Sequence, residues 1–350
     1  MDIPALVASA SLLQTVKYIN VASGAVLVFD YFQTLGMEVE FIWTSEWSIA
    51  KVLFLLARYT AFVDVPMVLY YALAPNVPHR TCHLVYAVSS YSTALGIAFS
   101  EAIMILRTYA LWGNNRKILI FLLTYLGVIA GPVLVILTFF LRSLRYGEPP
   151  LPTITGCYPT EGSIILFADF VLLISLETII MALTLWIGIK RFRHSHNRLV
   201  YTLYRDGIFF FVYLFLISAG NIIVLVAGPP EYVDLLNTFQ RVMHSVLSTR
   251  VMLHSYLSER STRRSTEKLA AKEHPDAEFN RTSSIVPGRL SKGMYFTVTS
   301  VAIIVLVESG HVSSLYRHEN CELSHFSKHH PSYPIGCTHT TPRISYLILR

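Results

Sequence analysis

Seven long apolar runs dominate this chain, at about Tyr18–Gly36, Trp47–Ala74, Cys82–Leu106, Ile118–Leu141, Ser163–Ile189, Gly207–Ala227 and Val233–Leu257. A helix needs roughly 20 apolar residues to cross about 30 Å of hydrocarbon. The runs are continuous rather than alternating and too long for barrel strands, which excludes a β-barrel. In lipid the backbone must satisfy its own hydrogen bonds, so each run predicts a helix. Composition agrees. Hydrophobic residues make up 53% and charged residues 14%, against the roughly 25% charged residues of an ordinary water-facing globule. The net charge of +6 comes from cations at the ends of apolar runs. That pattern points to membrane topology and excludes a nucleic-acid partner, whose binding face would cluster them. The lipid bilayer is the expected partner.

The predicted fold class is all-α: an integral membrane bundle of seven transmembrane helices. The predicted organisation is a short outer tail over 1–17, a helical domain over 18–257 and a disordered cytosolic tail over 258–350. Met1–Val16 carries Asp2 and no basic segment, so the first run reads as a signal anchor rather than a cleaved leader. Lysine and arginine in short flanks set orientation. One set of flanks holds Lys17, Arg80, Arg142 and Arg145. The other holds Arg107, Arg116, Lys117, Lys190, Arg191, Arg193, Arg198 and Arg205, then the arginines and lysines from Arg260 to Lys272. The N-terminus is therefore expected outside and the C-terminus in the cytosol. The first loop, Met37–Glu46, disagrees, with three glutamates and no cation on the predicted inner side.

The seventh run is the most polar, with Asn237, Gln240, Arg241, His244 and Arg250. An interfacial helix is one reading. The other turns a polar face to the bundle interior and leaves Leu235, Leu236, Val242, Leu247, Val251, Met252 and Leu253 for lipid. Beyond it, Ser258–Lys292 is polar, and Met294–Val307 is apolar but short for a span. Cys321, His325, Cys337 and His339 match no closed zinc-ligand spacing. No metal site and no cofactor is expected.

The stretch DYFQTLGMEVEFIWTSEWSIAKVLFLLARY, Asp30–Tyr59, resembles the fungal multi-spanning membrane family defined by domain of unknown function 6533. LRTYALWG at Leu106–Gly113, LYRDGIFFF at Leu203–Phe211 and HSVLSTRVMLH at His244–His254 are similar to that family in the same order. The resemblance covers about Tyr18–Leu257. It implies an integral membrane protein of fungal, mostly basidiomycete, type and carries no established activity.

Ionisable groups inside spans are candidate functional residues, since burying them unpaired is costly. Asp30 lies roughly 9 Å from the inner end of the first run at 1.5 Å per residue. Lys51 and Arg58 lie roughly 6 and 16 Å from the same side, so an ion pair of Asp30 with one of them is expected. Trp43 and Trp47 read as interfacial anchors. Glu101, Glu177, Asn221, Arg241 and His244 are candidates to line a polar cavity; simple helix-to-helix hydrogen bonding accounts for the same residues. Cys82, at the outer end of the third run, and Cys157, in the long outer loop, lie on the oxidising side. A disulfide is permitted there, and two free thiols are the alternative.

Rhodopsin-like receptors share an outer cysteine and an inner arginine on their third helix at a spacing similar to that of Cys82 and Arg107. Arg107 and Tyr109 are thus candidates for cytosolic coupling, although Leu106 stands where those receptors carry an acid. The receptor proline, the Asn-Pro…Tyr motif and a retinal lysine are absent. HExxH, GxSxG, P-loop and GxGxxG motifs are absent too, so no enzyme is expected. His194, Ser195 and His196 read as a headgroup-facing patch. Asn280 begins a glycosylation sequon that stays unmodified on the cytosolic side. Three functions remain open: a receptor-like sensor with a small-molecule ligand and a cytosolic protein partner, a proton-linked transporter, and a non-catalytic scaffold.

Overall fold

A computed structural model describes residues 3–147, 155–161, 164–192, 198–228 and 232–273. The segment 274–350 lies outside them, and with it Asn280, Met294–Val307 and the Cys321, His325, Cys337 and His339 set; so do His194, Ser195 and His196. Seven α-helices occur among the described residues: α1 (Ile3–Glu38), α2 (Ile49–Leu73), α3 (His79–Leu111), α4 (Arg116–Ser143), α5 (Phe167–Phe192), α6 (Arg198–Ala227) and α7 (Asn237–Glu273). A short antiparallel pair, β1 (Arg145–Tyr146) and β2 (Pro159–Glu161), joins α4 to α5.

Local sequence explains the helix ends. Ser48 caps α2 by accepting from the Lys51 backbone N–H at 3.2 Å, and Asn115 caps α4 by accepting from Lys117 at 3.0 Å. Each side-chain oxygen satisfies a donor that the first helical turn leaves unpaired. Gly113 and Asn114, both at positive φ, make the tight turn between α3 and α4. Glycine and asparagine tolerate that left-handed backbone best. The end of α1 continues as one π-helical turn, Val39–Trp43, which buries Ile42.

Two boundaries differ from expectation. Helix α1 begins at Ile3, so residues 3–17 are helical rather than a separate tail. Helix α7 runs to Glu273 across residues expected to be disordered. Its last stretch, STRRSTEKLAAKE, has no Gly or Pro and is rich in good helix formers. At its other end α7 starts only at Asn237, and Tyr232–Leu236 form the turn that precedes it.

Six helices are long and apolar enough to cross a membrane among the described residues. Helix α4 shows why water is not their solvent. Leu122, Ile129, Leu137, Phe140 and Leu141 form its buried stripe, while Ile120, Phe121, Val128, Val135 and Phe139 lie exposed. A contiguous apolar face of that length fits hydrocarbon and not an aqueous surface.

Helix α7 is the exception. Every residue from Gln240 to Leu253 is buried. The expectation that Val242, Leu247, Val251, Met252 and Leu253 face lipid is therefore corrected: they pack on protein. Met243, Leu247 and Val251 join Met104, Ile105, Leu122, Leu176, Ile180 and Leu214 in the largest core cluster. An interfacial position does not fit either, because the helix runs through the middle of the bundle. A polar helix can sit there only because the other helices supply its partners.

Candidate functional site

The partners arrange themselves as spokes on α7, in three tiers. In the first, Arg241 donates from Nε to Asp64 of α2 at 2.8 Å and from Nη2 to Thr60 at 2.8 Å. Gly96 of α3 makes room for it. A Cβ at that position would lie 2.1 Å from the guanidinium, so the close approach requires a residue without one.

One turn further along α7 lies the second tier. His244 Nδ1 is 3.3 Å from Glu101 of α3, and its Nε2 is 3.2 Å from Glu177 of α5. The Ser218 hydroxyl of α6 donates to Glu177 at 2.8 Å, and Gln240 donates to Ser218 at 2.9 Å. Asn221 donates to Gln240. All six side chains are buried.

The third tier lies at the far end. Arg250 donates to Asp30 and, at 2.7 Å, to Gln33. Arg58 of α2 pairs with Glu38 at 2.8 Å, donates to Thr34 at 2.6 Å and stands 3.7 Å from Asp30. Tyr59 and Trp43 both donate to Glu38, at 2.8 and 3.2 Å. Two carboxylates and two guanidiniums thus form a buried chain, Glu38–Arg58–Asp30–Arg250.

Several expectations need correction. Lys51 does not pair with Asp30. Its ammonium donates to the carbonyls of Ser45 and Trp43 and stands over the Trp47 ring, because its position near the start of α2 turns it to the loop. Arg58 belongs mainly to Glu38. Arg250, which the pairing by depth along α1 and α2 did not consider, is the direct partner of Asp30. Of the five residues expected to line one polar cavity, only Glu101 lines either of the two cavities described here. Arg241 faces α2, and the others close on one another as a packed network. Arg107 donates to Ser255 of α7, with Tyr109 half-buried two residues on. Two of the three acids of the first loop also find cations: Glu38 holds Arg58, and Glu40 holds Arg260 of α7.

The opposite end of the bundle is built differently. Cys82 and Cys157 form a disulfide. It holds the segment Thr155–Glu161 against the ends of α2 and α3, where Gly156 and Cys157 donate their backbone N–H groups to Ala74 and Tyr71 at 3.0 and 2.9 Å. Gly156 has φ +87°, and a Cβ there would lie 2.2 Å from the Ala72 carbonyl oxygen. Lys17 of α1 donates to Thr155 O at 2.6 Å. Next to this segment is a cavity of about 530 Å³, whose lining includes Lys17, Asn20, Tyr71, Tyr86, Asp234 and Thr238. Tyr86 donates to both oxygens of Asp234, at 2.9 and 3.2 Å. Partial burial in the turn ahead of α7 raises the Asp234 carboxyl above its ordinary range, although the Tyr86 and Asn237 hydrogen bonds oppose that. A second cavity, about 170 Å³ and mostly apolar, reaches Glu101 between α3, α4 and α5.

Sequence reasoning overlooked Glu38, Gln33, Ser218 and Asp234 as partners. One signal was available for the hub. Arg241 and Arg250 are nine residues apart, which at about 100° per residue puts them on opposite faces. A span with charge on opposite faces has no side left for lipid, and such a helix belongs inside protein.

Apolar helices gathered round a charged central helix define a multi-pass membrane protein. Its residues 18–63, the greater part of α1, the loop and the start of α2, match the Family of unknown function (DUF6533). No curated protein matches the chain.

Proposed function

We propose that this chain is a non-catalytic, receptor-like sensor that crosses its membrane seven times, with the N-terminus outside and α7 as the seventh crossing. The observation that carries the reading is the disulfide-anchored segment beside a cavity of about 530 Å³ with mixed lining. That volume suits a small organic ligand, and Lys17, Tyr86 and Asp234 supply polar contacts to its head. The cavity touches α1, α2, α3 and the start of α7 at once. A ligand there bears directly on the helix whose tiers reach five others. At the opposite end Arg107 ties α3 to α7 through Ser255, where a cytosolic protein partner would read a shift between them. The resemblance of the first helices favours a fungal host, and the topology favours the plasma membrane.

The test is a thermal-shift screen of small molecules on the purified, disulfide-intact protein. A hit should raise the melting temperature of the wild type and lose that effect in Asp234→Asn and Tyr86→Phe. Arg107→Ala should keep ligand binding and lose ligand-dependent capture of the cytosolic partner. Hits that shift the cavity variants as strongly as the wild type would refute the ligand site.

A further inference from the structure

The geometry points to a divalent transition-metal site made by Glu101, Glu177 and His244, at the centre of the bundle and separate from the outer cavity. One donor atom from each of the three lies within 4.8 Å of the others. They come from α3, α5 and α7, elements far apart in sequence, and each side chain is at least 96% buried.

Convergence alone would not make a site. The second observation is what these atoms lack. Glu101 Oε1, Glu177 Oε2 and both ring nitrogens of His244 are buried with no hydrogen-bond partner among the described residues. The carboxylates approach the imidazole to 3.2 and 3.3 Å, yet not along directions that make hydrogen bonds. Buried polar atoms are normally satisfied, and four unsatisfied atoms on three converging side chains mark a place for something else.

Charge says what that is. Two carboxylates with a neutral imidazole carry two negative charges. The nearest cation on α7, Arg241, is committed to Asp64. An imidazolium would neutralise one charge only. A divalent cation with the imidazole neutral neutralises both, and it replaces weak contacts with ligand bonds. One nitrogen and two carboxylate oxygens suit Zn²⁺ or Mn²⁺ and not soft thiolate-seeking ions. His244 would offer one ring nitrogen, and one glutamate would turn toward that nitrogen. Ser218 already donates to Glu177 and would orient that ligand from the side.

The experiment uses the full chain, purified in detergent from metal-supplemented medium, with metal content measured per chain. The histidine- and cysteine-bearing C-terminal segment is a second binding source, so the quantity of interest is the metal that depends on the site. Wild type should hold about one equivalent more Zn²⁺ or Mn²⁺ than Glu101→Gln, Glu177→Gln or His244→Gln, as a single site requires. Chelation should lower the melting temperature of the wild type, and Zn²⁺ should restore it. Should the variants fail to fold, Co²⁺ loaded into the full chain with the histidines and cysteines beyond residue 310 changed to alanine gives the answer: visible bands with nitrogen and oxygen ligation and no thiolate charge transfer are expected. Equal metal in folded wild type and variants, or no Co²⁺ spectrum other than a thiolate one, overturns the site and leaves shared protons as its occupant.

Discussion

Two buried charge clusters lie on α7, six residues apart, and they are built to opposite rules. Around Arg250 and Arg58, two guanidiniums meet Asp30 and Glu38, and Gln33, Thr34, Tyr59 and Trp43 contribute further hydrogen bonds. Around His244, two carboxylates share one imidazole, and four polar atoms have no partner. The first cluster has matched charges and holds α1, α2 and α7 in register. The second has excess negative charge on three helices that the apolar core already packs together. A lock needs balanced partners. Glu38 Oε2 and Arg58 Nε also lack a hydrogen bond, but they face each other as an ion pair at 2.8 Å; the second cluster has more carboxyl groups than basic partners to match them.

The largest effect should come from breaking the lock. Arg58→Ala leaves Glu38 without its ion pair and weakens the field at Asp30. Removing one partner of a buried pair costs about 3–5 kcal/mol, so the variant should not be recovered as monodisperse protein from detergent. Glu101→Gln removes one carboxyl group from the unbalanced cluster and should be recovered as folded protein, in higher yield than Arg58→Ala. Similar yields of the two variants would erase the distinction between the clusters.

Next in size is the disulfide. Cys82 and Cys157 are separated by 75 residues, and closing a loop of that length typically contributes about 2–4 kcal/mol. Cys82→Ser should lower the melting temperature and free the Thr155–Glu161 segment, read as faster proteolysis between α4 and α5. An unchanged digestion pattern would mean that the backbone bonds to Tyr71 and Ala74 hold the segment unaided.

Gly96→Ala tests the first tier with a single methyl group. The added carbon must displace the Arg241 guanidinium, which Asp64 and Thr60 hold in place. Overpacking of this kind costs about 1–3 kcal/mol. A drop in melting temperature that Arg241→Lys partly relieves is expected, since the shorter-headed lysine vacates the space. Were Gly96→Ala neutral, Arg241 would have slack that the observed ion pair does not suggest.

How much of this was legible in the sequence follows from which physics writes each feature. Lipid demands an unbroken apolar run, so α2 to α6 stand out in a single chain. Hydrogen-bonding partners leave no such local mark. Glu101, Glu177 and His244 could be singled out one by one as costly buried groups, but their meeting depends on the rotation of three helices about their axes. The same freedom hid the Asp30–Arg250 contact: depth limited its partners to one side of the membrane and pointed to Arg58, which does stand 3.7 Å from Asp30, and to Lys51, which turns to the loop instead. Cys82 and Cys157 were easier, because the expected topology puts only two of the four cysteines on one side, and these two form the disulfide. The boundary of α7 was misjudged because its C-terminal stretch is polar, and polarity removes the lipid signal without removing helix propensity.

The smallest effect belongs to the larger cavity, beside the Thr155–Glu161 segment. Asp234, in the turn ahead of α7, has its carboxyl raised above the ordinary value of 3.8 by desolvation. A carboxyl that binds its proton more tightly when folded lends stability below its unfolded pKa, and that stability fades as pH climbs through the raised folded value. The protein should therefore melt slightly higher near pH 4 than near pH 7 on this account alone. The difference isolates the group: the pH slope of wild type minus that of Asp234→Asn, measured from pH 4 to 7, should be negative. The asparagine keeps an acceptor for Tyr86, so the hydroxyl that donates to Asp234 at 2.9 Å stays satisfied. A difference slope of zero would mean that water from the cavity solvates Asp234 fully, and the polar end of the proposed ligand site would then lie with Lys17 and Asn20 instead.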